Sequence, residues 1–163
     1  MRRSEKADRD AIVQFTRATG FFREDELQIA IEVLDEALAE GPAGHYQSYT
    51  AERGGIPVGW VCFGPTPCTV GTYDVYWIVV APAAQNQGVG SVLLACAEQS
   101  IAASGGRLSV VETSGRAIYD ATRQFYLRRG YKEAARVEEF YAPGDDQIIY
   151  TKRFTSAAES VRK

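Results

Sequence analysis

The stretch AAQNQGVGSVLLACAEQS, residues 83–100, places Gly88 and Gly90 where an apolar strand ending at Val80 gives way to a helix. The first N–H groups of a helix have no partner within it, and the helix dipole is positive at that end. Glycine lets the backbone approach a ligand closely. A strand, a glycine-containing turn and a helix in this order predict a site for a phosphate or pyrophosphate.

The Gln87–Gly90 fragment alone does not decide this function, because it also fits a tight turn that only packs a helix against a strand. Neither of two familiar nucleotide motifs is present. No Gly-Lys-Ser/Thr follows the turn, as a Walker loop requires, and Leu93 stands where a dinucleotide fingerprint needs a third glycine.

The composition is that of an ordinary globular protein of 163 residues, with 45% hydrophobic residues and a net charge of −3. No basic excess points to nucleic acid or to a membrane surface as a partner. No apolar run approaches 18 residues, and the N-terminus lacks the apolar stretch of a signal peptide. Three cysteines and one histidine, His45 in a predicted solvated loop, show no metal-ligand spacing. We therefore expect a cytoplasmic protein without a metal site.

Periodicity and turn residues predict ten elements in the order α-α-β-β-β-α-β-α-β-β. The strand at 73–80, its helix and the strand at 108–112 form one β-α-β crossover, so these two strands are expected to be parallel neighbours. Residues 1–154 are expected to form a single domain, and 155–163 a polar tail. The predicted helices are 7–19, 23–40, one opening at Gln87 and 116–129, and the other predicted strands are 46–52, 56–63, 133–141 and 147–154.

A second motif, FYLRRGY at residues 125–131, follows about 36 residues after the glycine turn. Together the two motifs resemble those of the GNAT (GCN5-related N-acetyltransferase) superfamily. Its phosphate signature, Gln/Arg-x-x-Gly-x-Gly/Ala, is matched by Gln85, Gly88 and Gly90, and its Leu/Phe-Tyr-x-x-x-Gly-Phe/Tyr pattern is matched by 125–131. Many members carry an asparagine seven residues before the tyrosine, where this sequence has Tyr119.

The resemblance implies an α/β (α+β) GNAT fold: a mixed, mostly antiparallel sheet with a central, splayed parallel strand pair, flanked by helices. It also implies acetyl-CoA as co-substrate. In the family, the strand before the turn bulges and pairs with the pantetheine arm, and the turn binds the pyrophosphate. The implied binding residues are Ile78, Val79, Val80, Gln85, Asn86, Gln87, Gly88, Val89, Gly90 and Ser91.

Three residues are candidates for the chemistry of acyl transfer. Tyr126 is the implied proton donor to the departing thiolate, because its reference pKa near 10 lies above that of a thiol, near 8.5. The base, or a group that attracts the amine, is either Asp74, eleven residues before Gln85, or Glu112 on the neighbouring strand. A backbone N–H near Val79 or Val80 is the implied oxyanion donor.

The leading hypothesis is an acetyl-CoA-dependent N-acetyltransferase that acts on a primary amine of a small molecule, a peptide or a protein. The alternatives are a non-catalytic acyl-CoA-binding regulatory module and an enzyme that transfers a different acyl group. Dimers are common in the family, so a homodimer fits the resemblance. Six carboxylates are predicted to make the acceptor side acidic: Asp74, Glu112, Glu138, Glu139, Asp145 and Asp146.

Overall fold

A computed structural model describes residues 1–154 of the chain. The predicted tail, 155–163, lies outside the described residues. The described part of the chain contains four α-helices, and each begins within a few residues of its predicted start except α4, which a 3-10 turn precedes. The helices are α1, Arg9–Ala18; α2, Glu24–Glu40; α3, Val89–Ala103; and α4, Asp120–Arg128.

Within residues 1–154 the structure contains seven strands, one more than the sequence predicts. The additional strand comprises two arginines near the N-terminus, where residue polarity gives no strand signal. The final hairpin is tighter than predicted, because only Pro143 and Gly144 separate its strands. The strands are β1, Arg2–Arg3; β2, Gln47–Arg53; β3, Ile56–Pro65; β4, Thr72–Val80; β5, Leu108–Ser114; β6, Lys132–Ala142; and β7, Asp145–Arg153.

The strands are hydrogen-bonded in the order β1-β2-β3-β4-β5-β7-β6. The β4–β5 pair is parallel, and its ladder joins Thr72–Asp74 to Leu108–Val110. The flanking pairs β1–β2, β2–β3, β5–β7 and β6–β7 are antiparallel. This mixed, mostly antiparallel sheet with one parallel pair confirms the predicted fold class.

The chain divides into two compact units. The first comprises Met1–Gly64 and Val75–Ser100, and the second comprises Pro65–Asp74 and the chain from Ile101 onward. The single-domain organisation over residues 1–154 stays a prediction. Within these described residues, no helix is both long and apolar enough to cross a membrane.

β4 contains one residue more than the part of the chain with which it pairs. The Thr66 N–H donates to the Thr72 carbonyl at 2.9 Å, and the Ala81 N–H donates to the Val58 carbonyl at 2.9 Å. Between these bonds the β3 side advances by eight residues and the β4 side by nine. A regular antiparallel ladder would advance equally on both sides, so β4 carries a β-bulge.

Side-chain directions place this bulge at Tyr76 and Trp77. Trp77 stacks on Trp60 with ring centroids 6.3 Å apart, and a β-carbon at Gly64 would lie 3.3 Å from the Tyr76 ring. Trp60 and Gly64 are four residues apart on β3 and therefore share one face. Tyr76 and Trp77, although adjacent, thus lie on the same face, which a regular strand does not allow.

The core of the first unit forms where α1 and α2 cover this face. Trp60, Cys62 and Val79 pack there against Ile12 and Leu34, and all five are at least 97% buried. The Trp60 indole N–H donates to Ser48 Oγ at 2.9 Å, which satisfies its only polar group. The helices therefore hold the bulged strand against a well-packed layer.

On α3, Val89 and Leu93 pack directly against the backbone of Gly59 in β3. A β-carbon at Gly59 would lie 2.8 Å from Leu93 Cδ1 and 2.9 Å from Val89 Cγ1. Glycine allows this close packing, because a β-carbon would force the side chains of Leu93 and Val89 to shift. The start of α3 is therefore fixed against the sheet.

A partly buried ion pair fixes the unpredicted β1 strand to the first unit. Nη1 and Nη2 of Arg2 each donate to the carboxylate of Asp8 at 2.7 Å. The same carboxylate accepts bonds from the Glu5 N–H and from Thr50 Oγ1. Chiefly because of the Arg2 hydrogen bonds, the pKa of Asp8 is lowered below its ordinary value.

We expect Asp8→Asn to lower the free energy of unfolding at pH 7 by about 1–3 kcal/mol, because it removes the buried carboxylate that accepts two hydrogen bonds from Arg2, which keeps its pairing with Glu52. A lowered folded-state pKa stabilises the protein above the unfolded-state pKa, and this contribution is lost as the pH falls through the folded value. Urea unfolding at several pH values should therefore show the difference from the parent vanishing in acid. The matched control, Asp10→Asn, changes an exposed side chain and should shift the free energy by less than about 0.5 kcal/mol.

Candidate active site

Side-chain amides of the turn between β4 and α3 donate hydrogen bonds to nearby backbone carbonyls. Gln85 Nε2 donates to the Val80 carbonyl at 3.2 Å, and Gln87 Nε2 donates to the Ala83 carbonyl at 2.9 Å. A 3-10 turn, Pro82–Ala84, precedes them. The turn is therefore held in one conformation by groups of its own sequence.

Gly88 and Asn86 give this turn its direction, with φ angles of +83° and +58°. Positive φ is open to glycine and is tolerated by asparagine. A β-carbon at Gly88 would meet no atom within 4 Å, so the space beside it is open. The Val92 N–H bonds to the Gly88 carbonyl at 3.1 Å, and the N–H groups of Val89 and Gly90 precede that bond in the first turn of α3. This donor set suits an anion.

One cation lies beside the turn. Arg53, at the end of β2, donates from Nη1 to Gln87 Oε1. Its guanidinium is exposed and adds positive charge where the helix dipole is also positive. Sequence analysis missed Arg53, because nothing in a hairpin turn indicates contact with a residue 34 positions later.

The backbone directions at the end of β4 follow from the bulge. The Ala81 N–H points to β3, and alternate residues of a strand point the same way, so Val79 also faces β3. Two contacts agree: the Val79 carbonyl lies 3.3 Å from a β-carbon built at Gly59, whereas the Val80 carbonyl accepts Gln85 Nε2. Ile78 and Val80 therefore direct their N–H groups away from β3, and Val79 does not.

Tyr126 lies in an aromatic layer of the second unit. It is 96% buried on α4, with its ring centroid 5.6 Å from that of Tyr131 and 6.2 Å from that of Tyr150. Burial raises the pKa of Tyr126 well above its ordinary value. The phenol therefore stays protonated at neutral pH and can only donate or share its proton. Tyr119, in the position of the family asparagine, instead lies under the Arg116 guanidinium.

The two carboxylates proposed for the base come together on one face of the sheet. Asp74 is the ladder partner of Val110, and Val110 and Glu112 share a face of β5. Thr66 Oγ1 donates to Asp74 Oδ2 at 2.7 Å, and Gln147 Nε2 donates to Glu112 Oε2 at 2.6 Å. Each carboxylate is thus oriented by one donor.

The surroundings of Glu112 change its proton affinity. The pKa of Glu112 is raised, and partial burial is the largest cause. The hydrogen bond from Gln147 lowers this pKa, whereas the negative charge of Asp74 raises it further. A carboxylate with a raised pKa is a better proton acceptor than an ordinary one. Glu112 therefore has chemistry suited to a base.

Two other members of the predicted acidic group, Asp145 and Asp146, are paired with arginines. Asp145 is 96% buried and pairs with Arg116 at 3.1 Å, while Asp146 pairs with Arg136 at 3.0 Å. Glu138 and Glu139 are exposed on β6. Asp74 and Glu112 are the members of that group that lie side by side. Over residues 1–154, no cluster of three or more His, Cys, Asp or Glu side chains is arranged to hold a metal ion.

A family comparison agrees with this geometry. Residues 44–133 match the model of the acetyltransferase (GNAT) domain. A solved protein from Desulfovibrio desulfuricans, assigned to the GNAT family as an acetyltransferase, is 42% identical, with 91% of this chain and 93% of that chain covered and a TM-score of 0.86. The chain therefore belongs to the GNAT acetyltransferase family and is an N-acetyltransferase enzyme, which confirms the resemblance seen in the two motifs.

More distant solved structures share the fold. An N-acetyltransferase from Staphylococcus aureus Mu50 is 19% identical over 93% of this chain and 96% of its own, with a TM-score of 0.75. A protein from Salmonella typhimurium assigned as an acetyltransferase, solved with its cofactor acetyl-CoA, is 18% identical over 96% and 94%, with a TM-score of 0.74. Among the curated proteins compared, none matches the chain significantly.

The coupling of the two carboxylates can be measured directly. We expect the pKa of Glu112, followed by carbon-13 NMR of its carboxyl group, to lie above the ordinary value near 4.3. In Asp74→Asn the pKa of Glu112 should fall, because the neighbouring negative charge is removed. Glu138→Gln, which removes an exposed charge on β6, is the matched control and should leave that pKa unchanged. An identical Glu112 titration in the parent and in Asp74→Asn would show that the two groups do not interact.

Proposed function

We propose that the protein transfers the acetyl group of acetyl-CoA to a primary amine of a small molecule, a peptide or a protein. One observation carries this proposal: the bulged strand directs the N–H groups of Ile78 and Val80 away from β3, directly before a turn built for an anion. That sequence of donors matches the order of groups along coenzyme A, from the pantetheine amides to the pyrophosphate.

The donors of the turn fit the pyrophosphate. The N–H groups at the start of α3, the open space beside Gly88 and the Arg53 guanidinium supply directional bonds and positive charge. Residues Gln85 to Ser91 would hold the diphosphate, and Ile78 and Val80 would hold the pantetheine arm. Two solved relatives, the Salmonella protein and an aminoglycoside 6'-N-acetyltransferase, contain acetyl-CoA and coenzyme A respectively, which supports this choice of co-substrate.

The protein groups assigned to the chemistry are few. Acetyl-CoA supplies the acetyl group as an activated thioester. We assign one of these two N–H groups, that of Ile78 or that of Val80, to the acetyl carbonyl oxygen at the end of the pantetheine arm, where negative charge develops. Tyr126 donates a hydrogen bond or its proton to the departing sulfur. Because burial raises its pKa, Tyr126 acts mainly as a hydrogen-bond donor.

Glu112 is assigned as the acceptor of the amine proton, with Asp74 raising its proton affinity. Glu112 acts only when it is deprotonated, so activity falls as the pH decreases through its raised pKa. The carboxylate pair also attracts an ammonium group before the proton is lost.

The cytoplasm is the proposed location, because Cys62, Cys68 and Cys96 are all free thiols, as is usual in a reducing compartment. A homodimer remains compatible with the family.

Two substitutions should separate binding from chemistry. Tyr126→Phe should lower kcat by about 10²-fold or more and leave the Kd for coenzyme A unchanged, because it removes only the donor to the sulfur. Arg53→Gln should weaken coenzyme A binding by about 2- to 10-fold with a similar kcat, because it removes one exposed charge near the diphosphate. Calorimetry with coenzyme A and thiol release from acetyl-CoA over a panel of amines give the two readouts.

Lys6→Gln serves as the control, since it removes an exposed positive charge far along the chain from the turn. Weaker salt dependence of coenzyme A binding in Arg53→Gln, but not in Lys6→Gln, is the expected sign of a phosphate contact. Absence of any heat with millimolar coenzyme A would refute the proposed co-substrate. An unchanged kcat in Tyr126→Phe would remove that residue from the mechanism.

A further inference from the structure

Three ring side chains meet beside the bulge in β4, in the first unit. His45 Nε2 lies 3.1 Å from the Tyr76 hydroxyl, and the His45 ring stands edge-on to Tyr46 with centroids 4.7 Å apart. Tyr46 and Tyr76 are also edge-on, at 5.2 Å. We name His45, Tyr46 and Tyr76 the bulge cluster. The sequence predicts a solvated loop position for His45, and the structure corrects this, since the residue is half-buried and bonded.

The bulge cluster is neither interior nor fully exposed. All three of its rings are half-buried, in contrast to Trp60, which is 99% buried in the same layer. A second aromatic pair, Phe22 and Trp77, is also half-buried, with centroids 5.2 Å apart. Tyr46 of the bulge cluster packs against the same core residues as Phe22 and Trp77. Large aromatic surfaces left partly open to solvent on a rigid element are the usual walls of a ligand site.

The bulge is the reason that Tyr76 belongs to this cluster. In a regular strand, Tyr76 and Trp77 would lie on opposite faces. The extra residue brings both rings to the face covered by α1 and α2. Tyr76 is also only two residues before Ile78, which is about 6.6 Å along a strand. A molecule on this cluster would thus lie beside the backbone assigned to the pantetheine arm.

The charge near the cluster is negative. Burial raises the pKa of Tyr46, and the charge of Glu36 on α2 raises it further. Glu36 acts in the same direction on Cys62, the core residue of β3 that faces the bulge. Glu40 is the second carboxylate nearby, and it accepts the His45 backbone N–H at 3.2 Å. Aromatic walls with a carboxylate at their edge complement a cation attached to an apolar body.

We infer that the bulge cluster and Glu36 form the acceptor subsite, and that the acceptor is a primary amine joined by a short chain to an aromatic ring. The inference rests on the proposed function and narrows it to one substrate class. The ring of the acceptor packs against Tyr46 and Tyr76, and the charge of Glu36 adds to the negative potential that draws its ammonium group into the site. The Tyr76–His45 hydrogen bond fixes the ring of Tyr76 in place.

The test compares phenethylamine with n-hexylamine, an amine without the ring, in acetylation by the full chain. The parent should show a kcat/KM for phenethylamine about three- to ten-fold higher, as expected for one aromatic contact. Tyr46→Leu and Tyr76→Leu should bring that ratio close to one through KM, with kcat within about two-fold. Tyr76→Phe keeps the ring and should keep the ratio. Phe140→Leu, at an exposed ring on β6, is the matched control and should leave the ratio of the two kcat/KM values unchanged.

Charge recognition is tested separately with Glu36→Gln. It should raise KM for both amines several-fold alike and leave inhibition by phenethyl alcohol, a neutral analogue, unchanged. Urea unfolding of every variant identifies any that has lost the fold. A parent without preference for phenethylamine, or a preference that survives both leucine substitutions, would overturn the inference and leave the proposed function intact.

A direct measurement of phenethylamine binding distinguishes failure of the acceptor subsite from failure of the proposed acetyl transfer. Tryptophan fluorescence reports phenethylamine binding without acetyl-CoA, because Trp77 lies next to the cluster. Binding that is lost in Tyr46→Leu supports the acceptor subsite even if no amine is acetylated. Absence of binding by the parent at millimolar phenethylamine refutes the subsite, whatever the result with coenzyme A.

Discussion

The one extra residue in β4 is the constraint on which the site depends. A strand normally shares its N–H and C=O groups between two neighbours and alternates its side chains between two faces. The bulge at Tyr76 and Trp77 breaks both rules within two residues. It puts two consecutive rings on one face, and it fixes which of the following amides point to β3. The N–H groups of Ile78 and Val80 point away from β3, immediately before the glycine turn, and can donate to a ligand.

Burial determines the chemistry available in the second unit. Tyr126 is enclosed by aromatic rings, which raises its pKa and keeps its proton in place. Glu112 is partly desolvated and lies beside a second carboxylate, and both effects raise its pKa. One group is therefore suited to donate a hydrogen bond and the other to accept a proton. The same physical effect, loss of hydration, gives the two groups opposite roles.

Much of this fold follows from local sequence. The helices show apolar side chains at helical spacing, and the strands show β-branched and aromatic runs between turn residues, so element order and type are predictable. The anion site is predictable because its donors, turn and helix are contiguous in the chain. The assignment of Tyr126 as the donor to the departing thiolate rests on its motif and on the family resemblance.

What the sequence does not predict depends on distant partners. β1 contains two arginines and exists because Arg2 pairs with Asp8 and its backbone pairs with β2. The bulge is visible only when two strands are counted against each other. The Arg53–Gln87 bond joins residues 34 positions apart, and the His45–Tyr76 bond joins residues 31 apart. None of these has a local sequence pattern.

Hydrogen exchange of four consecutive amides tests the central claim most directly. Without ligand, the amides of Val79 and Ala81 should exchange slowly, because they point to β3, and those of Ile78 and Val80 should exchange quickly. Coenzyme A should slow Ile78 and Val80 and leave Val79 and Ala81 as they were. Slow exchange at Ile78 and Val80 without ligand, or no change on adding coenzyme A, would contradict the account.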